Sequence, residues 1–484
     1  MSSPFVPFPL TAASRTPTNG HRSPAGLPAS SDDSEITVVR QLRRQVAERL
    51  TRATRAHEES TGTLIAGEDQ RALTLRLIAE ALDEDAARRM RAGEPPLRPS
   101  VESRVGQAIG NALLGMGGLQ PWLGRDDVEE LHAIGCDQVT VRFSDGRRQP
   151  VAPIADSDPE LIDLVRRLAA DAGRAEVGGD GGEERRWDRA APILNLQLPD
   201  GSRLHAVLAV TKRPAISIRR HGYLKVTMND LLRLGTLNPL LLALLVAAVR
   251  ARLNILIAGR TGAGKTTLLR ALASGFDPSE RIVTIEDTYE LALERDRVAH
   301  GEVVALQARD ANIEGEGAIS LSELFRTGLR MSPDRVIVGE VRGHEVIPML
   351  NAMSQGNDGS LGTIHASSSA GVFKKLALYA AQSPERLDAA TTNLLVAEAV
   401  DLVVHLGFAD DPDQPRRVIT SVREVTGADG LQVASNELFR PDADGRAIPG
   451  APLSTPLLAT LARNGFDPRL LDIARTTPGG GWRG

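Results

Sequence analysis

Hydrophobic positions recur along this chain in three rhythms. In the first, Val38, Leu42, Val46 and Leu50 fall every four residues with Arg40, Arg43, Arg44 and Arg49 between them. That spacing predicts an amphipathic helix with a basic outer face, which either docks on a partner or an anionic membrane or is simply solvated. A second helical stretch covers 70–89 and breaks at the proline-rich 95–99. The second rhythm is short alternation, at 137–142, 193–198, 203–210 and 216–219, with turn residues at 144–146 and 199–201 and a helical pattern over 158–172. It predicts a mixed α/β region. In the third, mainly apolar runs at 254–258, 282–285, 335–338, 361–365 and 402–406 alternate with helical stretches. That is the pattern of a parallel sheet with helices on both faces. The apolar run 240–249 reads as a buried helix.

These changes divide the chain into a disordered segment 1–34, a helical region 35–100, an α/β domain 101–222, a linker 223–236, a second α/β domain 237–440, and a linker with a short helical tail over 441–484. A total of 484 residues also exceeds what one ordinary core holds. The formal net charge of −5 and an aromatic content of 3% supply neither a general basic field nor a stacking platform for nucleic acid. A single cysteine, Cys136, excludes a disulfide within the chain and any multi-cysteine zinc site, and fits a reducing compartment. No run reaches the roughly 18–20 apolar residues of a membrane span. The first residues lack a basic start followed by an apolar stretch. The expectation is a cytoplasmic protein whose membrane contact is peripheral.

The strongest chemical signal is Gly259-Arg260-Thr261-Gly262-Ala263-Gly264-Lys265-Thr266, a complete G-x-x-x-x-G-K-[ST] match followed by Thr267. An apolar strand precedes it and a helix-forming run follows. Glycines let the backbone wrap a phosphate at the positive end of a helix. Lys265 then reaches the β- and γ-phosphates, and the Thr266 hydroxyl ligates Mg²⁺. The run RVIVGE ends in Glu340, placed to serve a catalytic water, while Gly339 stands where an Asp is usual. Glu286 and Asp287 end the run RIVTIE. They face the same crevice and could position Mg²⁺ or the water; as isolated residues they could equally belong to a helix start. His365 ends SLGTIH, where a neutral imidazole could sense the γ-phosphate. Ser320 and Glu323 form a capping box, which puts Arg326 and Arg330 on one face of a helix. With Arg203, Arg219, Arg220 and Arg309 they are the candidates for the extra positive charge that phosphoryl transfer needs, and two or three of the six are expected to touch nucleotide.

Four boxes in order resemble the secretion superfamily ATPases of type II and type IV secretion and type IV pili. They are GRTGAGKTT, TIEDTYEL over 284–291, VIVGEVRGHE over 336–345 and GSLGTIHAS over 359–367. Leu306, Arg309, Asn312, Glu314 and Gly315 are similar to a run of the CpaF-type branch that serves Tad pili, and the upstream segments resemble its N-terminal domain. The resemblance covers about 101–430. It implies a RecA-like P-loop NTPase domain with a parallel-sheet core, preceded by a smaller α/β capping domain and N-terminal helices. It further implies an ATP- and Mg²⁺-dependent homo-hexameric motor on a polytopic inner-membrane platform protein, powering pilus assembly or protein secretion, with no nucleic-acid partner. By position it makes Glu340 the catalytic glutamate, Glu286 the Asp-box glutamate and His365 the His-box histidine. Arg309 and Arg330 stand with the catalytic set, Arg203 and Arg219 with the nucleotide. Asn357 replaces the family's second histidine and His205 an asparagine of the capping domain. A nucleic-acid translocase or conjugation-type ATPase of the same core is the alternative.

Overall fold

In a computed structural model, residues 32–61, 67–125, 127–177, 186–198, 200–220, 225–309, 317–409, 416–430 and 432–476 are described. The segment expected to be disordered therefore falls almost wholly outside them. The chain forms two compact units, 1–120 and 121–484.

The first unit holds α1 (Asp32–Thr61), α2 (Gly67–Arg91) and α3 (Pro99–Leu114). The four-residue spacing of α1 buries Leu42 and Val46 against Leu77, Ile78 and Ala81 of α2 and Val105 and Ile109 of α3. The basic face is partly occupied: Arg49 grips Glu84 through both guanidinium nitrogens, at 2.8 and 2.6 Å. The region from 101 was expected to open the α/β domain. Instead α3 completes the helical core, because its own apolar stripe is what covers α1 and α2.

After the single-turn α4 (Gln120–Leu123), the second unit continues with an antiparallel sheet. Its strands are β1 (Val128–Ile134), β2 (Gln138–Phe143), β3 (Arg148–Val151), β4 (Ile193–Gln197), β5 (Arg203–Val207) and β6 (Ala215–Arg219), in the order β3-β2-β1-β6-β5-β4. The helix α5 (Asp158–Val177) lies between β3 and β4 in the chain and buries Leu161, Leu164 and Val165. One face of the sheet is apolar, with Leu131, Leu196, Leu204 and Ile218 buried; the other carries Glu130, His132, Ser217 and Arg219. The central strand β1 (VEELHAI) escapes the sequence pattern because its outward face is so polar.

The segment expected as a linker contains α6 (Met228–Arg233), opened by a capping box of Thr227 and Asp230. The anticipated buried helix follows as α7 (Pro239–Arg250). Then come β7 (Ile255–Gly259), α8 (Lys265–Ala273), β8 (Arg281–Glu286), β9 (Glu302–Gln307), α9 (Leu321–Leu329), β10 (Arg335–Val341), α10 (Val346–Ser354) and β11 (Leu361–Ile364). The chain closes through α11 (Gly371–Gln382), α12 (Ala389–Ala399), β12 (Leu402–Phe408), β13 (Arg417–Asp429), β14 (Gln432–Pro441), β15 (Ala447–Pro449), α13 (Thr455–Arg463) and α14 (Arg469–Thr476). The nine strands run β15-β14-β13-β12-β7-β11-β10-β8-β9. All contacts from β12 to β9 are parallel, and β13 to β15 add an antiparallel edge. This is the RecA-like arrangement, with a smaller α/β layer before it. Part of the expected C-terminal linker is instead β15, which pairs with β14.

Alternation along β7 explains the two-sided burial. Ile255 and Ile257 enter one core with α7 and α8; Leu256 and Ala258 enter another with α9 to α12. Because these strands are parallel, their C-terminal ends lie along one edge, where ligands of such sheets bind.

Candidate active site

The loop after β7 depends on glycine at defined points. Gly262 has φ +77° and Gly264, the N-cap of α8, has φ +95°, where a side chain would be strained. A Cβ at Gly259 would come within 2.7 Å of the Leu406 carbonyl oxygen on the neighbouring strand. The first-turn N–H groups of α8 have no acceptor inside the helix and carry the positive end of its dipole. Ala263 is buried and supports the loop from beneath, Thr261 is exposed, and Thr266 and Thr267 are half-buried on the first turn.

Lys265 is 8% exposed. Its Nζ lies 3.4 Å from the Arg260 carbonyl oxygen, 3.3 Å and 3.4 Å from the two ring nitrogens of His365, and 3.9 Å from Glu340 Oε1. Burial lowers its pKa; Glu340 opposes the shift and Arg219 adds to it. Burial likewise lowers the pKa of His365 against the pull of Glu340, which favours the neutral imidazole.

Glu340, near the end of β10, has two unlike oxygens. Oε2 accepts a 2.7 Å hydrogen bond from Arg342 Nε. Oε1 lies against His365 Nε2, yet it is buried with no aligned hydrogen-bond donor among the described residues. Arg342 also reaches Asp287 at 3.3 Å. The turn carrying it is held by Glu345, whose Oε1 accepts the N–H of Arg342 and, at 2.9 Å, that of Gly343.

Glu286 is only 2% exposed at the end of β8. Its Oε1 accepts the backbone N–H groups of Glu290 and Leu291, both at 2.8 Å, and its Oε2 is buried without a partner among the described residues. Burial pushes its carboxyl up to about 8, although those two N–H groups hold it down. Buried Arg270 donates to the carbonyls of Glu290 and Leu291 and so fixes the turn that presents the N–H groups. The pairing of Val338 with Ile285 brings the next residues, Gly339 and Glu286, abreast. A Cβ at Gly339 would lie 3.0 Å from Glu286 Cγ. This accounts for glycine where an Asp is usual: the neighbouring strand's glutamate fills the space.

The arginines separate into two groups. Arg203 pairs with Glu290 at 3.5 Å, and Arg219 lies opposite both Arg203 and Glu130 on the polar face of the antiparallel sheet. The Arg220 side chain reaches the Val128 carbonyl, at 3.5 Å. Arg309 and Arg330 are exposed. Arg309 turns onto the Gly317 carbonyl at 2.7 Å, and Arg330 is the C-cap of α9 rather than part of its face. Among the described residues neither contacts Lys265, Glu286, Glu340 or His365. Asn312, Glu314 and Gly315 lie outside the described residues. Sequence reasoning passed over Arg342, Glu345 and Arg270; Arg342 and Glu345 stood in view inside VIVGEVRGHE.

The Type II/IV secretion system protein profile matches residues 184–419, which include the glycine loop and all three strand-end residues. A protein of Mycobacterium tuberculosis named for conjugal transfer is 37% identical over 305 residues, covering 61% of this chain and 80% of that protein. The chain belongs to the type II/IV secretion system protein family. A further relative, the type IV secretion system protein PtlH of Bordetella pertussis, is 32% identical over 328 residues, 62% of this chain and 91% of PtlH. The crystal structure of the VirB11 ATPase from the Brucella suis type IV secretion system is 27% identical, with 63% of this chain and 91% of that one aligned at a TM-score of 0.33. The strands β1 to β3 precede the span that defines the type II/IV secretion match. No helix among the described residues is long and apolar enough to cross a membrane.

Proposed function

We propose that this member of the family hydrolyses ATP at the Gly259–Thr266 loop and uses the turnover to move the subunits of a homo-hexameric ring. The observation that carries this reading is Glu340 Oε1, a buried acceptor with no aligned donor, set beside Lys265 and His365 at the edge of a parallel sheet. The loop's N–H groups and Lys265 receive the β- and γ-phosphates. Glu340 accepts the proton of the attacking water, and neutral His365 orients it or contacts the γ-phosphate. Thr266 directly, and Glu286 through water at its unpartnered Oε2, would hold a magnesium ion, which would neutralise phosphate charge. Asp287 can join it only if its pair with Arg342 opens. Arg203 and Arg219 extend positive charge from the antiparallel sheet, which acts as the capping domain. Arg309 and Arg330, exposed and clear of this site, are suited to a neighbouring subunit's nucleotide.

The boxes in the sequence favour a CpaF-type motor that drives Tad-like pilus assembly or protein secretion from the cytoplasmic face of the inner membrane, through a polytopic platform protein. The conjugal-transfer names of relatives favour a second reading, a conjugation-type motor. Stimulation of ATPase activity by DNA separates the two. The test of the site itself is Lys265→Ala in the full chain. Turnover should drop to background, and mixing this variant into wild type should depress activity more than in proportion if subunits act in a ring. A Lys265→Ala protein that hydrolyses ATP at the wild-type rate would remove the assignment.

A further inference from the structure

Arg417 opens β13 and lies in none of the sequence boxes. Its Nε donates to the carbonyl of Gly262 in the glycine loop at 2.8 Å. Its Nη2 donates to both oxygens of Glu129 on β1, at 2.9 and 3.2 Å. The stem lies across the loop, since a Cβ at Gly264 would meet Arg417 Cδ at 3.5 Å. Glu129 sits at a register shift in the β1–β2 ladder, and Arg142 of β2 donates to it at 3.0 Å. One guanidinium therefore joins the loop to the antiparallel sheet, from a residue near the end of the family-matched span to one outside it.

The geometry points to Arg417 as a positioning residue that couples the antiparallel sheet to the phosphate-binding loop through Glu129. This rests on the reading of that loop as the nucleotide site. A peptide plane is rigid, so fixing its carbonyl fixes the N–H across it. The Gly262–Ala263 plane is held at both ends: the carbonyl by Arg417, and the Ala263 N–H by the Arg260 carbonyl at 3.2 Å. With that plane set, Gly264 can take its left-handed conformation and aim the first-turn N–H groups of α8 into the cradle. Glycines on both sides leave the loop little stiffness of its own. A shift of β1 relative to β13 would loosen the Glu129 grip and free the plane. Lysine would not reproduce this arrangement, because its single nitrogen replaces the separate Nε and Nη2 that reach Gly262 and Glu129.

The experiment is a double-mutant cycle on binding of a fluorescent ADP analogue with Mg²⁺ to the full chain. Arg417→Ala should weaken binding roughly tenfold, the scale of one hydrogen bond from a charged donor. Glu129→Ala, which removes no group from the loop, should weaken it several-fold, and the double variant should be no worse than Arg417→Ala alone. Wild-type affinity in Glu129→Ala, or effects that simply multiply, would overturn the coupling. Thermal melting without nucleotide separates this from a merely structural role, which would lower the melting temperature and leave the affinities multiplying. If Arg417→Ala does not fold, Arg417→Lys takes its place in the cycle. Lys265→Ala runs alongside: if it binds the analogue like wild type, the nucleotide reading fails. If it loses binding while Glu129→Ala keeps it, only the coupling fails.

Discussion

The parallel sheet of the second unit is buried on both faces, whereas its antiparallel sheet is buried on one. In the parallel sheet even adjacent residues of one strand, such as Ile337 and Val338, belong to different cores. Most side chains on both faces are apolar, and Glu286, Glu340 and His365 lie where the strands end. In the antiparallel sheet Arg203, Arg219, Glu130 and His132 stand on the face itself, open to water on that side. The difference has an electrostatic consequence. Glu286, enclosed at a strand end, has its carboxyl raised to about 8. One sheet carries its buried charged groups at the strand ends, the other carries charged groups on one of its faces.

The largest expected effect tests the burial contrast. Ile337→Ala, at 0% exposure, should destabilise the second unit by about 2–5 kcal/mol in chemical denaturation, whereas Ile193→Ala, at 57%, should stay within about 0.5 kcal/mol. Equal losses at the two positions would erase the distinction between the sheets. Next in size is Glu340→Gln, which keeps the shape but cannot take the proton. Hydrolysis should fall by roughly 10² or more with nucleotide binding retained. Normal turnover would move the base role to Glu286.

The smallest effect is a slope. The folded pKa of Glu286 lies above the 4.5 of an ordinary glutamate, so between about 4.5 and about 8 the folded chain holds a proton that the unfolded chain has released. Through that window Glu286 makes the nucleotide-free protein less stable as pH rises. Glu286→Gln cannot titrate and should melt with a shallower pH dependence than wild type across it. Matching slopes would mean that the carboxyl is not desolvated.

The glycine loop was legible because its chemistry is local: eight consecutive residues carry the glycines, the lysine and the threonine. The five buried strands were legible for the same reason, since burial on both faces leaves a mainly apolar run. The strands β1 and β9 escaped the pattern, one being polar on its outward face and the other a half-buried edge. The boundary near 100 moved because α3 is called into the helical core by partners far earlier in the chain. Within the site, sequence could name Glu286, Glu340 and His365 but not what surrounds them. That Gly339 makes room for Glu286 follows from the register of β8 against β10, and that Arg417 meets Glu129 follows from bringing together residues 288 positions apart. A motif is written along the chain and can be read along it. The burial that shifts a carboxyl's pKa, and the neighbour that claims a carbonyl, exist only once distant strands are packed side by side.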